Sequence, residues 1–277
     1  MNRIEGRYIS LLTDFGFIRI FGTKPNKDLL INFLNSLFEG FQVIKDVKYL
    51  NSEHVGDVFA ERKPIFDVYC ENEKGEKFIV EMQNASIFPI REQAPKGADW
   101  NFKLDHVYIV ALLNFDLEVE AFDKNDINHD VGLLDKKTHK VFNDKLSFKY
   151  VEIAKFDKTE DELVTLYDKW LYVLKNLSRL DERPAALKEK VFTKLFEEAE
   201  IAKFTPTELK EYEDSLKAYR DVKNSIDTAL EKGREEGRAE SKNLKVIQIA
   251  KKMLAAGMDI DTVINMTDLS KSEIEKL

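Results

Sequence analysis

The chain has 277 residues, 43% hydrophobic and 34% charged, with a formal net charge of -8. That balance excludes a disordered chain, because enough apolar surface exists to offset chain entropy, and any grip on a polyanion must come from a local basic patch. The single cysteine, Cys70, excludes an internal disulfide framework, and His54, His106, His129 and His139 lack zinc-ligand spacing.

No apolar run has the length of a signal peptide or a membrane span, so the expected setting is cytoplasmic, without membrane contact. From Leu12 to Phe38 the pattern is helical. Gly22 can stop a first short helix and Asn26 can cap a second, in which Leu30, Phe33, Leu34, Leu37 and Phe38 share one face before Gly40 ends it. Extended segments follow at Phe41 to Leu50 and in "IFDVYCENEKGEKFIVEMQ" (Ile65 to Gln83), which reads as two alternating strands around a charged turn. The almost wholly apolar "VYIVALLNF" predicts a central strand buried on both faces. "VGLLD" and "SFKYVEIAKF" predict further, more peripheral strands.

After Phe156 the character becomes helical. Thr159 to Glu162, "TEDE", has the capping-box pattern and precedes the stripe Leu163, Leu166, Tyr167, Trp170, Leu171 and Leu174. A second helix is predicted from about Ala185 to Phe204, between Pro184 and Pro206. A third starts near Thr207, with Leu209, Tyr212, Leu216, Tyr219, Val222, Ile226 and Leu230 at coiled-coil-like steps. "KGREEGRAE" (Lys232 to Glu240) reads as a weak helix or a hinge, since glycine within a helix costs about 1 kcal/mol relative to alanine. Beyond it come a helix, a glycine-containing turn, a second helix, and a helix from about Ser270, in a helix-turn-helix-like order. The expected organisation is residues 1–156 as an α/β unit, 157–231 as a helical region, and 232–277 as a glycine-rich linker with a helix-turn-helix-like tail.

The acids in the opening hairpin are the candidates for chemistry. A turn centred on Lys74 sets Asp67 opposite Glu81, with Cβ atoms about 4.5–5.5 Å apart. Phe66, Val68, Cys70, Phe78, Val80 and Met82 then form an uninterrupted core face, and the acids share the other face with Ile65, Tyr69 and Ile79. Facing like charges destabilise a sheet unless something positive sits between them, and Mg²⁺ is commonly held by one or two carboxylates. Gln83, two residues after Glu81, can orient a water or a phosphate oxygen. Acids on the outward face of a hairpin are also common as plain solvent-facing charges, and spacing alone does not choose. No P-loop, G-x-G-x-x-G, G-x-S-x-G or H-E-x-x-H motif offers other chemistry.

The runs "GRYISLLTDFGFIRIFGT", "NKDLLINFLN", "ERKPIFDVYCENEKGEKFIVEMQ", "FPIREQ", "WNFKLDHVYIVALLNF" and "IAKKMLAAG" together resemble the PD-(D/E)XK nuclease family transposases, relatives of the Rpn recombination-promoting nucleases. The resemblance implies a restriction-endonuclease-like mixed sheet flanked by helices, followed by an α-helical C-terminal region. It implies Asp67 and Glu81 as metal ligands for Mg²⁺, with Mn²⁺ as a substitute, and Gln83 where many such enzymes have lysine. Asp14, in "TDFGF", matches an acidic position of the family; the other reading is a helix cap. Only "NASI" (Asn84 to Ile87) separates "EMQ" from "FPI", where similar proteins have a longer polar and aromatic segment.

The expected function is therefore Mg²⁺-dependent DNA endonuclease activity associated with transposition or recombination. The alternative is a non-catalytic interaction protein that keeps the fold. Arg62, Lys63, Arg91, Lys96 and Lys103 are the cations flanking the acidic strands, with Trp100 and Phe102 able to stack on bases or to pack in the core. The Leu209 to Leu230 stripe needs a surface to bury against, either the helices of its own chain or a second copy, which would make a homodimer through the C-terminal helices.

Overall fold

The computed structural model describes residues 6–50, 68–82, 105–117, 119, 121–274 and 276–277. They divide into two compact units, 1–219 and 220–277. The first opens with α1 (Asp14–Phe21), where the Thr13 side chain accepts a hydrogen bond from Gly16 N and Gly22 closes the C-terminus. A 3-10 turn at Lys24–Asn26 leads into α2 (Lys27–Leu37). Asn26 stands at the predicted cap of α2, but its side-chain amide donates to Arg19 O instead.

Six strands form one sheet in the order β1-β2-β3-β4-β6-β5: β1 (Val47–Tyr49), β2 (Val68–Asn72), β3 (Lys77–Met82), β4 (Val107–Leu113), β5 (Asn128–Leu134) and β6 (Val141–Glu152). β2 pairs antiparallel with β1 and β3, β3 and β6 both pair parallel with β4, and β5 closes the far edge antiparallel to β6. Every residue of β4 is buried, as its continuous apolar run predicts for a strand without a solvent face. The fold is the expected helix-flanked mixed sheet followed by helices.

The two sheet faces differ. On one, Val68, Cys70, Phe78, Val80, Tyr108 and Val110 join the main core with α1 and α2. The change of character after Phe156 falls inside that core, because Trp170 of α3 (Leu166–Asn176) packs on Phe21, Phe33 and Phe192 and donates from Nε1 to Asn32 Oδ1 at 2.9 Å. On the other face Tyr69, Ile79, Val107, Ile109, Leu146 and Phe148 make a smaller cluster.

Local expectations shift in two places, and at a third the helical one of two readings is found. The "TEDE" box caps only a 3-10 turn at Glu160–Glu162, and a second box, Thr165 with Asp168, starts α3. The helix expected from Ala185 to Phe204 is shorter, α4 (Lys190–Glu198), because the backbone after it is diverted into pairing with the N-terminal segment: Ile9 N donates to Ala199 O and Ile201 N to Arg7 O. α5 (Pro206–Ala255) runs without a break through "KGREEGRAE". Its start is fastened by Glu208, which accepts from Thr205 N and Oγ1 and pairs with Arg19 at 2.6 Å. Those Thr205 bonds, then Arg19, hold its carboxyl at about 2.

The apolar stripe of α5 divides. Tyr212 is buried, with Leu216 and Tyr219 packed on the core, and Ser10 N donates to Tyr212 Oη at 2.9 Å, whereas Val222 and Ile226 are exposed. In the second unit, Ala250 of α5, Val263 of α6 (Ile260–Thr267), and Leu269 and Ile274 at α7 (Lys271–Ile274) form a separate small core. Asp259 caps α6, accepting from Thr262 N. Among the described residues no helix is long and apolar enough to cross a membrane.

Trp170→Ala is expected to lower the unfolding free energy by about 3–5 kcal/mol in urea denaturation, since it empties the junction of α1, α2, α3 and α4. A decrease under about 1 kcal/mol would show that α3 does not share the core of the sheet unit.

Candidate active site at the ends of the parallel strands

The β2–β3 hairpin is set by its turn. Asn72 Oδ1 accepts from Lys74 N and Glu76 N, its side-chain amide donates to Glu76, and Gly75 takes a left-handed φ of 81° that favours glycine. The ladder then runs Glu71↔Lys77, Cys70↔Phe78, Tyr69↔Ile79 and Val68↔Val80, every pair summing to 148, with an ion pair of 2.8 Å between Lys77 and Glu71. This is the register expected from a turn centred on Lys74.

Glu81 lies near the C-terminal end of β3, its backbone in register with Ala111 of β4. Asp67 and Gln83 lie outside the described residues, as do Arg62, Lys63, Arg91, Lys96, Lys103, Trp100, Phe102 and the Asn84 to Ile87 segment. Tyr69 and Ile79 belong to the smaller cluster, on the face to which the sequence pattern assigns the two acids. Asp14 sits exposed in the first turn of α1, where a negative charge favours the helix N-terminus, while Thr13 makes the cap.

The structure adds an acid that the sequence pattern does not single out. β3 and β6 both run parallel to β4, so Glu152, the last residue of β6, lies at the same end of the sheet as the end of β3 near which Glu81 stands. Glu152 is fully buried. Its Oε1 lies 2.7 Å from His129 Nε2 and 2.8 Å from Lys155 Nζ, and Oε2 accepts from Leu117 N at 2.7 Å. An ionised carboxylate only accepts, so in this arrangement His129 Nε2 carries the proton. Phe122 stacks on the His129 ring at 4.0 Å. Glu152 and Lys155 line a cavity of about 580 Å³ with Asp116, Phe122, Asp123 and Lys124. Burial pushes the Glu152 carboxyl up, but Lys155, the Leu117 amide and His129 outweigh it and hold it below the usual range. The alternation in "SFKYVEIAKF" places Glu152 in a strand; its pairing with His129, 23 residues away, has no local signature.

Other reactive groups are quiet. Cys70 is buried and burial pushes its thiol up to about 12, which rules against a thiolate nucleophile. Among the described residues no three His, Cys, Asp or Glu side chains are grouped to hold a metal ion.

An antiparallel hairpin leading into parallel β3–β4 pairing, with helices packed on the main-core face, defines a PD-(D/E)XK nuclease-like α/β fold. The chain belongs to the PD-(D/E)XK nuclease family transposases, whose profile matches residues 11–229. Residues 243–277 match the C-terminal HTH domain of the Rpn/YhgA-like nuclease family. No curated protein and no solved structure matches the chain significantly.

Glu152→Gln is expected to destabilise the protein by about 1–3 kcal/mol at neutral pH, because an amide cannot accept equally from His129, Lys155 and Leu117 N. A carboxyl held low when folded contributes stability that is present above its unfolded value and lost as pH falls through the folded one. The gap between wild type and variant should therefore narrow on acidification below about pH 4.5. A gap constant from pH 7 down to pH 3 in chemical denaturation would contradict an ionised Glu152.

Proposed function

We propose that the protein is a divalent-metal-dependent DNA endonuclease, using Mg²⁺ with Mn²⁺ as a substitute, that hydrolyses phosphodiester bonds in transposition or recombination. The observation that carries this reading is the hairpin register. The described pairs, from Glu71↔Lys77 to Val68↔Val80, follow the register in which the sequence pattern expects Asp67 opposite Glu81. Two facing carboxylates repel, and a bound cation relieves that cost, so the pair fits an oxygen-ligated metal held by one or two acids. When bound, the metal supplies activation of the attacking water and stabilisation of the charge that develops on the phosphate. Gln83, two positions on, carries an amide that both donates and accepts, which suits holding the nucleophilic water but gives none of a lysine's positive charge. The family match and the C-terminal HTH match both support DNA as the substrate.

Glu81→Gln keeps size and most hydrogen bonds but removes a charged ligand. Mg²⁺-supported nicking of plasmid DNA should fall by orders of magnitude, while thermal stability in EDTA is unchanged or raised by relief of the repulsion. Equal nicking by wild type and variant would refute the assignment; a wild type that binds DNA without cutting it would favour the non-catalytic reading.

The same reading includes self-association through α5. Among the described side chains from Arg220 to Lys245, every one is exposed, including Val222 and Ile226, and a lone helix gains little from propensity in water. Pairing of two copies would present two sites to the two strands of a duplex. Light scattering at tens of micromolar should give a dimer mass, and Val222→Glu with Ile226→Glu should return it to monomer; a monomeric wild type would rule the pairing out.

A further inference from the structure

The β5–β6 hairpin outruns the sheet. β4 pairs with β6 only from Leu146 onward, so Val141 to Lys145 are laddered with β5 alone, through two register shifts at Gly132, Leu133 and Leu134. The result is a two-stranded ribbon, exposed at every position from Gly132 to Lys145 except the half-buried Asn143. Irregular pairing of this kind twists a ribbon and re-aims its side chains. The tip is nevertheless well formed: Asp135 N donates to Lys140 O, and Asp135 Oδ1 accepts from Lys137 N, Thr138 N and Thr138 Oγ1.

The composition of this arm is unlike that of the chain. It bears Lys136, Lys137, Lys140 and Lys145 against Asp135 and Asp144, a net positive charge on a protein of net -8. The Asp135 carboxylate is turned to its own turn, and among the described residues none of the four lysines is in an ion pair. Between them stand Leu134, Val141 and Phe142, 56%, 65% and 77% exposed. Exposed apolar groups clustered among cations mark a binding surface rather than scattered surface residues. Lysine is depleted in the cores of protein–protein interfaces, which speaks against a protein partner.

We propose that the β5–β6 arm is a DNA-gripping ribbon, its lysines on the phosphates of a duplex and Phe142 against the groove. A two-stranded ribbon fits the major groove of B-DNA, about 12 Å wide. The inference rests on the nuclease reading and supplies the grip on substrate that reading needs. α7 brings Lys271 but also Glu273, so it is a poor phosphate clamp by itself. The placement also suits one substrate. Ala111 aligns Glu81 with Tyr150 of β6, eight positions beyond Phe142, at most about 26 Å along the strand. One turn of duplex, about 34 Å, can therefore reach both the acid end of the sheet and the arm.

The test is fluorescence anisotropy of a labelled blunt duplex with the full-length protein in EDTA, across a salt series, beside the plasmid-nicking assay in Mg²⁺. Combined Lys136→Gln, Lys137→Gln and Lys140→Gln should weaken binding at least tenfold at low salt. It should also flatten the slope of log affinity against log salt by about 2–3, at about 0.9 for each phosphate no longer neutralised. Phe142→Ala should weaken binding several-fold with the slope unchanged, and replacing the same lysines by arginine should restore wild-type binding. Circular dichroism confirms folding of each variant. If the wild type binds and nicks while the glutamine variant binds with the same affinity and slope, the arm proposal fails alone. A wild type that neither binds nor cuts duplex overturns the nuclease reading and the arm with it. Preferential lysine-dependent capture by phosphatidylserine vesicles would overturn the arm's assignment to DNA.

Discussion

The structure depends on β4 being buried on both faces and hydrogen-bonded along both edges in the parallel sense. A strand so placed has no solvent side, and parallel neighbours can be reached only by crossover connections that bring other elements over the sheet. The helices over the Val68, Phe78, Tyr108 and Val110 face come from outside those connections, α1 and α2 from before the sheet and α3 from after it; there the rings of Phe38, Phe78 and Tyr108 interlock and Trp170 closes the helical layer. The parallel pairing also fixes polarity. Because β3, β4 and β6 point the same way, whatever chemistry their last residues carry is gathered at one end of the sheet.

Much of this is legible in the sequence because its causes are local. The turn "ENEKGEK" writes its own register, since the Asn72 side chain and Gly75 select one geometry and period-two alternation does the rest. The apolar run from Val107 to Leu113 likewise admits no edge position. Features set by distant partners are not legible. α4 stops at Glu198 because the next residues pair with Arg7 and Ile9, nearly two hundred positions away. Two consecutive capping boxes satisfy the same pattern, and only packing lets Leu166 to Asn176, behind the second, continue as a helix. Of the predicted site, the hairpin and the strand position of Glu81 are readable; Glu152 is not, because its partners come from the β4–β5 connection, β5 and the turn after β6.

The unbroken course of α5 is a third case. Two glycines, Gly233 and Gly237, cost about 1 kcal/mol each in a helix interior. The exposed Lys223–Asp227 and Lys232–Glu236 pairs contribute about 0.3–0.5 kcal/mol apiece, too little to offset them. Helix continuity across this stretch is therefore marginal on local terms, and the exposed Val222 and Ile226 lie directly N-terminal to it. A packing partner would supply what propensity does not.

Charge placement gives the molecule its direction. In a chain of net -8, attraction to a polyanion depends on which acids are already occupied and which cations are free. At the β2–β3 turn Glu71 is held by Lys77, and at the opposite end of the sheet Glu152 is held by Lys155 and His129. Elsewhere in the first unit Asp168 is held by Lys158 and Glu189 by Lys169. These pairs mute the acids that would otherwise repel phosphate from the sheet. On the β5–β6 arm the arrangement is reversed: the turn absorbs Asp135 and leaves the lysines facing water. The sheet thus carries the buried Glu152 carboxylate at the end where its parallel strands finish and an extended, lysine-bearing ribbon at the other, a separation that the proposed grip and cleavage would use.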